Sequence, residues 1–155
     1  MRARPGGGAL VALALGLALA APAPAAAQNR VRGEVFVVLA KETPGTVDAR
    51  LEGMAALRRP PFDSFRSMEL LQRQPVQLTA GDNRDLQLPN GRTLRIRLQR
   101  VMPDGRFRVE VSIKRPTRPD YLPLLQVMAS PGDPFFVVGQ AHDGGTLVIG
   151  IRLTR

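Results

Sequence analysis

Two runs of alternating residues dominate the middle of the chain. Leu94, Ile96 and Leu98 are interleaved with Arg95, Arg97 and Gln99, and Phe107, Val109, Val111 and Ile113 with Arg106, Arg108, Glu110 and Ser112. A period of two sends successive side chains to opposite faces, so each run predicts a strand with one buried and one wet face. Met102-Pro103-Asp104-Gly105 joins them. Burying both apolar sets on one face requires opposed residues whose numbers sum to an odd value, which implies a loop of even length. Closing the hairpin on Val101 and Arg106 then sets Arg97 opposite Glu110.

Val31 to Ala40 begins with alternation and ends as an unbroken apolar run, the pattern of a strand covered on both faces. A turn at Lys41 to Gly45 leads to Val47, Leu51, Met54 and Leu57, read as one stripe of a helix over about 47–58. Thr46 is its expected N-cap, with Asp48 in the first turn, and Arg58 and Arg59 complement its carbonyl end. Pro60-Pro61 stops it. Phe65 to Arg73 reads as a strand with Met68 and Leu70 on one face, so a β-α-β opening is expected. Pro75 marks a break or an edge, and Val76 to Thr79 a further short strand. Leu86 and Leu88 begin another, followed by the turn Pro89-Asn90-Gly91. Tyr121 to Met128, interrupted by Pro123, is a weak or edge strand. Phe135 to Val138 and Thr146 to Leu153 make a last pair joined by Gly139 to Gly145, with Leu147, Ile149, Ile151 and Leu153 inward. The expected fold is α+β and β-rich: a mostly antiparallel sheet or sandwich of about seven to nine strands with one short helix.

The first 27 residues read differently. Arg2 and Arg4 precede the apolar run Ala9 to Ala20, and Ala21 to Ala27 is small and Pro-punctuated. This is the layout of a cleavable secretory signal peptide, with cleavage after Ala27 or after Ala25. An apolar run of about 12 residues reaches about 18 Å as a helix, short of the ~30 Å of a bilayer core. The expected product is a single domain over 28–155 with no transmembrane span, periplasmic or secreted. The chain contains no Cys, which excludes a lipid-modified cysteine, disulfides and thiolate metal sites. It carries 22 Lys and Arg against 13 Asp and Glu, a net charge of +9. Removing Arg2 and Arg4 leaves 20 against 13, or +7.

No pattern that carries catalysis stands out. His142, the one His, sits beside Asp143 in a turn-like AHDGG segment and is too little for a zinc site. None of Ser64, Ser67, Ser112 or Ser130 lies in a nucleophile elbow. Asp82 and Asp85 are explained by turn chemistry. Gly144, Gly145 and Gly150 lead into a strand and form no phosphate loop. No catalytic, metal or cofactor residue is expected. The arginines are another matter. Arg95, Arg97, Arg106 and Arg108 fall on the outward face of the central hairpin, flanked by Arg92, Arg100, Lys114, Arg115 and Arg118. Such a face suits bidentate binding of phosphate or carboxylate groups. Nucleic acid would call for exposed aromatics as well, and the seven aromatics fall mostly on apolar positions. The expected partners are therefore an envelope protein, anionic lipid or polysaccharide.

The Arg- and Ala-rich leader, VDARL, RRPPFDSF, LPNGRTLRIRL and the closing FFVVGQAHDGGTLVIGIRL resemble small exported proteins of GC-rich Gram-negative bacteria. The likeness spans nearly all of residues 30–153. It implies export and a β-rich fold, and brings no activity, cofactor or site residue. Gly144 to Ile151 (GGTLVIGI) is also similar to a strand near the end of secretins, the outer-membrane export channels. The long amphipathic strands of a secretin channel are missing, so that likeness implies at most an accessory part in a secretion or outer-membrane assembly. The reading with most behind it is an exported, non-enzymatic envelope module.

Overall fold

A computed structural model describes residues 30–155. The leader read at 1–27 and its cleavage sites lie outside them. Eight strands run β1 (Arg30–Lys41), β2 (Ser67–Thr79), β3 (Asn83–Gln87), β4 (Thr93–Val101), β5 (Phe107–Lys114), β6 (Tyr121–Ala129), β7 (Phe135–His142) and β8 (Gly145–Thr154). They form two four-stranded sheets ordered β2-β1-β8-β7 and β3-β4-β5-β6, and every pairing is antiparallel. The β-rich sandwich read from the alternation is what the chain adopts. Among the described residues, no helix is long and apolar enough to cross a membrane.

Side chains from both sheets fill the space between them. Val35, Val37 and Leu39 of β1 and Leu147, Ile149, Ile151 and Leu153 of β8 meet Leu94, Ile96 and Leu98 of β4 and Phe107, Val109, Val111 and Ile113 of β5 in one buried cluster. Each such side chain contributes about 1.5–3 kcal/mol when fully buried. A second cluster lies on the outer face of the first sheet. There Phe36, Val38, Ala40, Met68, Leu70 and Val148 are covered by Leu51, Leu57 and Phe62 from the segment between β1 and β2. This double cover accounts for the unbroken apolar run in β1.

That covering segment corrects the expected helix. It is a succession of 3-10 turns at Ala49–Leu51, Ala55–Arg58 and Phe62–Ser64. Backbone bonds step back three residues along it, from Leu51 to Asp48, Met54 to Leu51, Leu57 to Met54, Phe62 to Arg59 and Phe65 to Phe62. Leu51, Met54 and Leu57 are spaced by three, and a 3-10 turn puts residues three apart in line. Val47, the first member of the proposed stripe, is 50% exposed. The cap is Asp48 rather than Thr46: its carboxylate accepts from the Arg50 N–H at 2.9 Å. The segment joins two antiparallel neighbours, so there is no β-α-β unit.

An edge position, two bulges and a tight turn account for three further departures. β2 is one strand through Pro75, because it lies at a sheet edge where a missing N–H is tolerated. Its register shifts at Leu71, so Met68 and Leu70 face outward while Val76 and Leu78, of the same parity, face the interior. In the central hairpin Arg97 does oppose Glu110, but the closing pair is Val101 with Phe107. The loop is odd in length, and Gln99 is the extra residue in β4 that restores the inward set. β7 extends to His142, and the turn is Asp143-Gly144 alone, with φ of 44° and 70°. Two left-handed residues make the tight turn whose twist suits a hairpin.

Candidate anion-binding surface

The four arginines singled out in the sequence do reach the surface of the second sheet, in different circumstances. Arg95 forms a two-pronged ion pair with Asp85 across β3 and β4, at 2.7 and 2.8 Å. Its guanidinium also lies 3.7 Å from the centre of the Tyr121 ring, and the Tyr121 hydroxyl donates to Asp85 at 3.0 Å. Hydrogen bonding from Arg95, opposed by burial and aided by Tyr121, holds the Asp85 carboxyl below its ordinary value. Arg95 is thus a structural tie between strands. Arg106 is held by Asp104 in its own turn, at 2.8 Å. Arg97 and Arg108 are exposed and, among the described residues, make no ion pair. The Glu110 opposite Arg97 accepts from Gln99 instead, at 2.7 Å, and Gln99 in turn accepts from Gln126 at 2.9 Å.

The Gln99 bulge adds a residue to this face. By alternation alone Arg100 would share the inward side of Leu94, Ile96 and Leu98. After the shift it stands exposed, opposite Arg108. Of the other flanking cations, Arg92 donates to Gln140 at 2.9 Å and Arg115 pairs with Asp120 at 3.2 Å. Both lie at the opposite end of the sandwich.

A second basic region is absent from the sequence reading. On the outer face of the first sheet, the half left bare by the 3-10 segment carries an open groove of about 700 Å³. Its walls include Arg32, Glu34, Arg84, Arg152, Gln77 and Thr154. The register explains the gathering: Arg32 lies between Gln77 and Thr154, and Glu34 between Pro75 and Arg152. Arg84 enters from the start of β3. Glu34 accepts from Arg73 Nε and Nη2 at 3.0 and 3.2 Å, and from Arg152 on its other side. The bond from Arg73, together with Arg152 and against the burial cost, keeps the Glu34 carboxyl below its ordinary value. Arg32 and Arg84 are without an ion pair among the described residues.

The two regions lie toward the same end of the molecule. Strand directions bring Arg30, the turn after β2, the β4–β5 turn and the chain end to one end of the sandwich. Arg155 follows the groove residue Thr154, and its guanidinium lies against Gly105 of the β4–β5 turn. The basic rim at this end thus comprises Arg32 on one face of the sandwich, Arg100 and Arg108 on the other, and Arg155 beside the β4–β5 turn. The groove escapes sequence inspection because Arg32 and Arg152 are 120 positions apart. A signal was present, since both fall on outward positions of strands that were recognised.

His142 ends β7 beside the turn, and Asp143 pairs with Lys41 at 3.5 Å. Among the described residues, no three His, Cys, Asp or Glu gather as metal ligands would. The sequence matches no family model, and neither a curated protein nor a solved structure shows significant similarity to it.

Proposed function

We propose that the chain is an exported, non-enzymatic envelope module that binds an anionic envelope surface through its arginine-rich end. The observation that carries this reading is the basic rim: Arg32, Arg84, Arg100, Arg108 and Arg155 project at one end of the sandwich and none is ion-paired among the described residues. Elsewhere several cations are neutralised by acids, as at Arg50 with Asp48 and Arg115 with Asp120. An arginine close to an anionic leaflet gains about 1 kcal/mol, so several acting together suffice for reversible attachment. The filled interior supports the same conclusion, because side chains occupy the volume in which a β-barrel carrier would hold a ligand. Recognition then belongs to the outside.

Export rests on the leader at 1–27 and on the resemblance described above. For the surface itself, the purified protein is sedimented with vesicles of phosphatidylglycerol and of phosphatidylcholine over a series of salt concentrations. The expected result is binding to the anionic vesicles alone, weakening as salt rises and screening shortens. Equal binding to both lipids, or none at low salt, overturns the proposal.

A further inference from the structure

The groove on the first sheet has a chemistry of its own. Arg32, Arg84 and Arg152 against the single Glu34 give its walls a charge of 3 − 1 = +2. A carboxylate is already present: Glu34 sits between Arg73 and Arg152 and satisfies both. Arg152 is thereby fixed in place. Arg32 and Arg84 remain beside it with free donor forks, and the Gln77 amide and Thr154 hydroxyl supply neutral hydrogen bonds. Two free guanidiniums and a third already oriented exceed what one more carboxylate requires. They match a group with two negative charges and three or more acceptor oxygens, and the planar fork of arginine fits such oxygens in pairs.

We propose that this groove is a binding site for a phosphate ester, with Arg32 and Arg84 as the principal ligands and Arg152, held by Glu34, as the third. The inference rests on the anionic-surface reading and narrows it to one chemical group at one place. The groove is wide enough for a small ester such as a glycerol phosphate, and its openness admits either a free ester or a lipid headgroup. The exposed arginines of the second sheet are outside it and serve only the general attraction.

The test uses the purified protein and sn-glycerol 3-phosphate as the probe, read by calorimetry and by amide shifts in the NMR spectrum. The expected outcome is saturable binding with shifts centred on Gly33, Gln77 and Thr154. An Arg32→Gln/Arg84→Gln variant should weaken it about tenfold or more, the scale of losing charge-assisted hydrogen bonds. An Arg59→Gln/Arg66→Gln variant, at exposed positions away from the groove, should leave it within about twofold, since exposed charges at a distance are screened. Circular dichroism checks that both variants fold. No binding of the probe, or equal weakening by the two variants, overturns the groove. If wild-type protein nonetheless sediments with phosphatidylglycerol, the broader reading survives that failure; if it does not, both fall. Soluble probe that displaces the protein from those vesicles identifies the headgroup as the source of the phosphate. Saturable probe binding without displacement identifies a free ester.

Discussion

The ring of Phe36 lies directly over Gly150 of the neighbouring strand, filling the space where a side chain would stand. The two residues are opposed in register, and a Cβ on Gly150 would come within 2.0 Å of the ring. Phe136, opposite Gly150 on its other side, meets Phe36 edge-on at 5.9 Å, and Phe62 tilts against Phe136 at 5.0 Å. One missing side chain thus seats the aromatic group that fastens the 3-10 segment to the sheet. Gly150→Ala is expected to destabilise the fold by about 2–3 kcal/mol through overpacking. Phe36→Leu should relieve part of that cost, so the double variant is less unstable than the sum of the singles. Denaturant unfolding of the four proteins reads the coupling.

Arg95 and Arg97 are two positions apart on the same face and should behave differently. Arg95→Ala removes the two-pronged bond to Asp85 and the contact with Tyr121, and should cost about 1 kcal/mol, the upper range for a well-formed surface pair. Arg97→Ala should stay within about 0.5 kcal/mol. Thermal unfolding separates them. Equal losses would remove the structural role assigned to Arg95.

Acid should weaken the fold in a defined window. Glu34, Asp48, Asp85 and Asp104 are all held below their ordinary values of 4.5 for the Glu and 3.8 for the three Asp, each through hydrogen bonds from an arginine. A carboxyl that is more acidic folded than unfolded adds stability above its unfolded value and loses it as pH falls toward the folded one. Tm should therefore be flat from neutral pH to about 5 and decline below about 4.5. Asp48, the most strongly shifted, loses its contribution last. Glu34→Gln and Asp85→Asn should each flatten the upper part of the decline, measured by circular dichroism across the pH series.

All four sheet edges are guarded. β2 carries Pro75 and the Leu71 bulge, β6 carries Pro123 and an extra residue at Leu124 where its pairing with β5 shifts between Val111 and Ser112, β7 shifts at Gly139, and β3 is only five residues long. Such devices stop edge strands from pairing with other chains. Pro75→Val should restore a hydrogen-bonding edge on β2 and promote self-association, seen as a concentration-dependent rise in apparent mass by light scattering. An unchanged mass at every concentration would argue that other features protect this edge.

The sandwich was legible where chemistry repeats at short range. Leu94 to Ile113 announced a hairpin through alternation alone, and the apolar run of Val35 to Ala40 announced burial on both faces. The residues that bend the pattern were not legible. Nothing in Gln99 marks it as a bulge, since its role emerges only when an odd loop must be reconciled with two inward faces. The helix expectation had a similar origin: Leu51, Met54 and Leu57 fit a spacing of three as well as a turn of 3.6, and Val47 extends the stripe although its side chain is half exposed. For the site, Arg95 and Arg106 looked free because their acids, Asp85 and Asp104, were attributed to turns. Arg32, Arg84 and Arg152 come from three distant segments that only the strand order brings together.

The pairing of β1 with β8 has a consequence for how the molecule is built. The second sheet is a meander within residues 83–129, whose contacts form between near neighbours in the chain. The first sheet joins the opposite ends of the domain, Arg32 beside Thr154. A chain emerging amino end first from a ribosome can therefore assemble the second sheet from near neighbours, while β1 waits without one of its two partners. Only when β8 is released does the first strand gain its second neighbour, so completion of the sheet is timed by the arrival of that strand.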